Sequence, residues 1–214
     1  MKTIVKQNRT FLLLYLLFLV IGALLLLIFS KHDLHLLFNQ FHNSFFDSFF
    51  YYATFLGDGI ASVLVVIMFL AVKYRYALII ALSNLISALI TQTLKHTIFE
   101  DVVRPKKFFE GIQDLYFVPG VENYMYNSFP SGHTTSAFAL YFSLALLTKN
   151  KWIELLLFII ALTVAYSRIY LSQHFFSDVY AGSLVGMLTT ILVYFVVRNW
   201  KKEWMERSLI DSFK

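Results

Sequence analysis

From Phe11 to Phe29 the chain carries no charged residue. A helix needs about 20 residues, at roughly 1.5 Å each, to cross the hydrocarbon layer of a bilayer. The run is longer than the apolar core of a secretory signal, about 7 to 15 residues, and no small-x-small cleavage pattern follows it. It therefore predicts a retained spanning helix. Similar runs recur along the chain. Of 214 residues, 58% are hydrophobic and 14% charged, against roughly 25% charged in a soluble domain. The expected class is all-α and polytopic, and a soluble fold with a large core is the weaker reading. Cysteine is absent, so a disulfide frame and a thiolate metal site are excluded. The net charge of +5 reads as loop charge bias in a membrane protein, not as a nucleic-acid surface.

Six spans are expected, at about 11–29, 55–72, 76–99, 131–147, 152–170 and 175–197, forming one domain over 1–214 without internal repeats. Between the first two, residues 33–52 place Leu34, Leu37, Phe38, Phe41, Phe45, Phe49 and Tyr52 at helical spacing, with Asp33, Asn39, Gln40, Asn43 and Asp47 between them. That pattern predicts an amphipathic helix in the membrane interface. Gly57-Asp58-Gly59 marks a break or a helix start. Ser83, Asn84, Ser87, Thr91 and Gln92 lie on the third span and read as helix-packing groups. Gly182 and Gly186, four apart on the sixth, predict close helix contact within the monomer. Residues 100–129 form the longest polar connection, and long ordered loops often carry function. At its end Ser128 is the expected N-cap of the fourth span, with Pro130 in its first turn.

With six spans, four segments share one side: the N-terminus with Lys2, Lys6 and Arg9; the turn Lys73-Tyr74-Arg75; the turn Lys149-Asn150-Lys151; and the tail with Arg198, Lys201, Lys202, Arg207 and Lys214. Positive residues favour the cytoplasmic side. The expectation is an integral protein of a bacterial inner membrane with both termini in the cytoplasm. The 99–130 loop and the 168–177 turn then face outward.

Those outward segments and the helix ends beside them, including Lys95 at the outer end of span three, hold the ionisable residues that a membrane segment seldom carries without function. Transfer of a phosphoryl group needs fixed donors for its oxygens. Arg104 and Arg168 offer planar forks suited to phosphate. Ser131 and the amides of Gly132 and His133 lie at a helix start that favours an anion, and glycine at 132 lets the backbone approach closely. His174 and Asp178, at i and i+4, share a helix face. Asp178 can hold one imidazole nitrogen, leaving the other to attack phosphorus, while His133 protonates the leaving oxygen. No metal or cofactor is called for.

The chain resembles the type-2 phosphatidic acid phosphatase superfamily, which also includes vanadium haloperoxidases. The second motif is present as Pro130-Ser131-Gly132-His133, and the third as Ser167-Arg168, His174 and Asp178 at the family spacing. The first motif, usually Lys, six residues and Arg-Pro, departs: eight residues separate Lys95 from Arg104-Pro105. If the third span ends near Phe99, the extra residues loop out and Lys95 stays near Arg104. The resemblance implies a phosphohistidine mechanism. His174 would be the nucleophile and His133 the acid, with Lys95, Arg104, Ser131, Gly132 and Arg168 holding phosphate. It further implies a phosphorylated membrane lipid as partner, within the bilayer: undecaprenyl diphosphate, phosphatidylglycerophosphate or phosphatidic acid, with a lipid A phosphatase or a lipid phosphotransferase as alternatives. A haloperoxidase is disfavoured because those relatives are soluble.

Overall fold

A computed structural model describes residues 7–213, with side chains described through residue 211. Lys2, Lys6 and Lys214 lie outside the described residues and side chains. The described residues form helices and no strands. In chain order these are α1 (Arg9–Ile28), α2 (Lys31–Phe38), α3 (Ser44–Ala53) running into a 3-10 turn (Thr54–Gly57), α4 (Gly59–Leu70), α5 (Tyr74–Thr97), the short α6 (Pro105–Phe108), α7 (Gly132–Ala145), α8 (Lys151–Tyr170) and α9 (Phe176–Asn199), followed by two 3-10 turns, Glu203–Glu206 and Ile210–Phe213.

Four helices, α1, α5, α8 and α9, are long and apolar enough to cross a membrane; α3 through α4, bent by 53°, would make a fifth. Their outer faces carry Leu13, Leu17, Leu85, Leu89, Leu188 and Leu192, all exposed. Such faces are costly in water and unremarkable against lipid tails.

Three expectations are corrected. Residues 33–52 do not form one continuous helix. Asn39 turns inward to donate from Nδ2 to the Tyr170 carbonyl (3.1 Å) and Ser172 Oγ (3.0 Å), and Asn43 starts α3 by accepting from the Phe46 amide (2.9 Å). The polar residues that looked like the wet side of an amphipathic helix therefore serve as a break and a cap. The second and fourth expected spans are also short, with 12 residues in α4 and 14 in α7. At 1.5 Å per residue α7 is about 21 Å long, below the roughly 30 Å of a hydrocarbon core. Finally, Ser128 is not an N-cap. Helix α7 begins at Gly132 with Ser131 in the cap position, because the Ser128 hydroxyl is committed to Asp178 at 2.5 Å.

Helix α7 is short because it lies at the centre. Ala137, Phe138, Ala139 and Phe142 are fully buried, and α5, α8 and α9 pack around it. Close approach to α9 depends on the two glycines. A Cβ on Gly182 would lie 2.6 Å from the Ser131 carbonyl oxygen, and one on Gly186 would lie 2.4 Å from that of Thr135. This is the intramolecular contact that their spacing predicted. Gly57 does the same for the 3-10 turn, where a Cβ would meet the His133 carbonyl oxygen at 2.8 Å.

The basic segments gather at the end of the bundle away from these residues. Glu206 accepts from Lys73 Nζ (2.6 Å) and Arg75 Nε (2.5 Å), tying the 73–75 turn to the tail. Glu154, buried at the start of α8, accepts from the amides of Thr10 (3.0 Å) and Phe11 (3.2 Å), filling orphan donors at the start of α1.

Gly186→Ala should lower the melting temperature in detergent, at a cost of about 1–3 kcal/mol, the usual penalty of overpacking. Gly59→Ala, with nothing within 4 Å of the added carbon, is the control. Equal melting of both variants would mean that α7 and α9 are not held at this separation.

Candidate active site

The third span ends at Thr97, and the chain loops through residues 98–103 before α6. Lys95, in the last turn of α5, is buried. It lies close enough to interact electrostatically with Arg104, Asp178 and Arg168. A strictly continuous helix would have carried Arg104 about 13 Å further along the axis. The loop removes that separation, and its backbone is tied to the 125–128 segment by two bonds: Arg104 N to the Met125 carbonyl (2.8 Å) and Ser128 N to the Val102 carbonyl (2.9 Å).

Arg104 is buried within a ring of acceptors. Its Nε donates to the Tyr126 carbonyl (2.9 Å), Nη1 to the carbonyl (3.2 Å) and Oε1 (3.3 Å) of Gln173, and Nη2 to the Asn127 carbonyl (3.4 Å). The Tyr124 ring lies 5.5 Å from the guanidinium carbon. Arg168, from the last turn of α8, donates from Nη1 to Thr54 Oγ1 (2.6 Å) and from Nη2 to Gln173 Oε1 (3.4 Å). Its buried Nε has no protein acceptor.

After Tyr170 the chain turns sharply. Ser172 takes a left-handed φ of 50°, and the amides of Gln173 (2.9 Å) and His174 (3.0 Å) both donate to the Arg168 carbonyl. His174 is thereby placed beside Asp178, with Nδ1 3.4 Å from Oδ2. The bonds that Asp178 does accept come from elsewhere: Oδ2 from Ser128 Oγ (2.5 Å) and the Phe175 amide (3.0 Å), and Oδ1 from Ser177 Oγ (3.1 Å). The carboxylate therefore closes the start of α9 as well as facing the imidazole. Burial, then the charges of Arg104, Lys95, Arg168 and His133, hold the His174 imidazole well below the ordinary histidine range. That favours the neutral imidazole, the form a nitrogen nucleophile requires.

Ser131 is fully buried at the start of α7, and its amide donates to the Asp178 carbonyl (2.9 Å). The nearest atom to a Cβ on Gly132 would be Thr91 Cγ2 at 4.0 Å. No protein neighbour requires glycine there; the space in front of it belongs to a groove. That groove, of about 570 Å³, runs between α4 and α5 and is lined by Gly132 and His133 together with Asp58, Val63, Asn84 and Leu85. Ser83, Ser87 and Thr91 are buried, as helix-packing groups should be. Thr91 also lines the groove, together with Asn84 and Gln92. Asn84 Oδ1 accepts from Ser62 Oγ (3.0 Å) and Ser136 Oγ (3.2 Å), which satisfies these polar groups where the groove wall is otherwise formed by side chains such as Val63 and Leu85.

The structure thus brings together Lys95, Arg104, Ser131, Gly132, His133, Arg168, His174 and Asp178. Sequence reasoning missed Thr54 and Gln173, and assigned Ser128 the wrong task. Only Gln173 carried a local signal, as a polar residue beside a candidate nucleophile.

A family model described as PAP2 superfamily matches residues 75–202. A Porphyromonas gingivalis protein named lipid A 4'-phosphatase is 30% identical over 187 residues, covering 83% of this chain and 77% of that protein. The crystal structure of Aquifex aeolicus LpxE superposes with a TM-score of 0.69 at 25% identity, covering 78% of this chain and 97% of that one. A PAP2-type phosphatidylglycerolphosphate phosphatase from Bacillus subtilis shares the fold, with a TM-score of 0.65 over 92% of this chain and 98% of that one at 23% identity.

The depressed His174 pKa fixes the sign of a stability effect. Unfolded histidine takes up a proton near pH 6.5, whereas the buried imidazole resists it. Its contribution is complete above about pH 6.5 and is lost as pH falls toward the folded-state value. In phosphate-free detergent solution, melting temperature should therefore fall more steeply between about pH 7.5 and 4.5 for wild type than for His174→Asn. Parallel curves would mean that His174 already titrates normally in the folded protein.

Proposed function

Given that the chain belongs to the PAP2 superfamily and is a membrane lipid phosphatase, we propose that it hydrolyses a phosphate monoester on a glycolipid of the lipid A class through a phosphohistidine at His174. The observation that carries the mechanism is the convergence of two histidines with Lys95, Arg104 and Arg168 at the end of an apolar groove. Asp178 faces Nδ1 of His174, so Nε2 is the attacking nitrogen. As the P–N bond forms, the P–O bond to the lipid breaks, and His133 gives its proton to the departing oxygen. Water then attacks phosphorus, its proton passes to His133, and the P–N bond breaks to release phosphate. Arg168 Nε, without a protein acceptor, and the amides at the start of α7 meet the phosphoryl oxygens. Lys95 and Arg104 add charge that counts most as negative charge builds in the transition state.

Two features favour a monoester on a glycolipid over a lipid diphosphate. Asp58 lines the groove beside His133 and is near enough to Arg168 to interact with its charge. A second phosphate would meet that carboxylate, whereas a sugar hydroxyl would donate to it. The similarity to the Porphyromonas gingivalis protein supports the same class. The lipid's chains would lie in the groove between α4 and α5, with the short α7 as the shielded centre of a six-span bundle. The basic end faces the cytoplasm and the site faces outward.

The test is phosphate release by purified enzyme from a panel: a lipid A phosphate, undecaprenyl diphosphate, phosphatidylglycerophosphate and phosphatidic acid. The lipid A phosphate should have the highest kcat/KM, and His174→Ala should abolish release from it while the variant stays folded. A tenfold preference for the diphosphate or a glycerophospholipid would overturn the substrate class. A His174→Ala enzyme with near-wild-type turnover would overturn the nucleophile. For orientation, a membrane-impermeant thiol reagent should label a cysteine placed at Gly111 in intact spheroplasts and spare one placed at Asn150; the reverse pattern would move the site to the cytoplasmic face.

A further inference from the structure

Gln173 is 3% exposed and makes contacts on both ends of its amide. Oε1 accepts from Arg104 Nη1 (3.3 Å) and Arg168 Nη2 (3.4 Å). Nε2 donates to the Glu122 carbonyl (2.8 Å) and Asn123 Oδ1 (2.6 Å). Guanidinium groups can only donate, and a backbone carbonyl can only accept. The amide therefore has one workable orientation, with its oxygen toward the arginines. A single oxygen thus holds guanidinium groups from two distant parts of the chain, which would otherwise repel each other. The turn carrying Gln173 is itself pinned from the opposite side by Asn39, whose Nδ2 donates to Ser172 Oγ and the Tyr170 carbonyl.

We propose that Gln173 is a positioning residue that sets the two arginines as one phosphate fork and fixes that fork against the outer loop at Glu122 and Asn123. The inference rests on the reading that Arg104 and Arg168 hold the phosphate. Gln173 does not touch the reacting atoms. It acts by holding donors where the transferring phosphoryl group needs them, which spares reorganisation during the reaction. Losing the shared acceptor lets each guanidinium rotate toward other carbonyls, so binding of a transition-state mimic should suffer more than binding of the lipid.

The experiment measures inhibition by vanadate, which imitates five-coordinate phosphorus, alongside kcat and KM for the lipid and melting temperature. Gln173→Met keeps the side-chain length and removes both sets of hydrogen bonds. It should raise the vanadate Ki roughly 10-fold, the scale of losing a hydrogen bond to a charged group, and lower kcat, while KM changes less than about threefold. Asn123→Ala, which removes one of the two supports, should move Ki the same way by a smaller factor. In a double-mutant cycle the effect of Gln173→Met on Ki should shrink when Arg104→Ala is already present. A lower melting temperature with unchanged Ki would assign Gln173 a structural role only and overturn the proposal, as would full additivity in the cycle. If Arg104→Ala and Arg168→Ala themselves leave Ki unchanged, the phosphate-binding reading fails instead.

Discussion

Three cations and a carboxylate are held at one end of an apolar helix bundle, and the rest of the structure follows from the cost of keeping them there. An isolated buried charge is expensive, and such groups persist only when paired or hydrogen-bonded. Arg104 is held by three backbone carbonyls and the Gln173 side chain. Asp178 is held by two hydroxyls and an amide. Apart from the Ser177 hydroxyl in the first turn of α9, these donors and acceptors come from turns, loops and helix caps, because helix interiors have already used their own backbone groups. The site therefore has to sit where helices end, and the long connection over residues 98–131 has to be ordered.

Sterics determine how close those ends can come. Helix α7 carries His133 in its first turn, and its path is fixed by Gly182 and Gly186 on α9 and by Gly57 on the 3-10 turn, all at backbone contact. A methyl group at any of them would push apart elements that carry candidate site residues. Stability and function therefore depend on the same contacts here. Helix α7 also shows why length alone is a poor test for a central helix. Encased by α5, α8 and α9, it meets little solvent or lipid along its sides.

The long uncharged or weakly charged runs made α1, α5, α8 and α9 legible to within about two residues, because lipid contact demands apolar residues on nearly every face. Residues 33–52 were misread for a different reason. Asn39 and Asn43 fit helical spacing, and their use as a break and a cap depends on tertiary partners, Tyr170 and Ser172 for the first. In the site, the gathering of the two histidines, Arg168 and Asp178 was legible from i, i+4 spacing and helix-end position taken together, neither of which is specific by itself. Thr54 was not. It reaches Arg168 across 114 residues, and no local pattern encodes that distance. Ser128 was seen and misassigned, since the same residue type serves an N-cap or a carboxylate equally well.

Asp178 is better understood as a junction than as the partner of one imidazole. Its Oδ2 lies 3.4 Å from His174 Nδ1, longer than its 2.5 Å contact with Ser128 and 3.0 Å contact with the Phe175 amide. Its backbone carbonyl meanwhile accepts from Ser131, the residue that starts the helix bearing His133. One residue thus connects the turn holding His174, the start of α9, and the segment that begins the helix bearing His133. The geometry of an apo site commonly tightens when substrate binds. Under the proposed mechanism tightening has a defined route: positive charge gained by His174 during attack would draw it toward an oxygen that Ser128 and Phe175 already hold in place. Replacing Asp178 with a neutral amide would weaken that pull and also disturb the junction between α7 and α9. The orienting role and the structural role of this carboxylate are therefore properties of the same few hydrogen bonds.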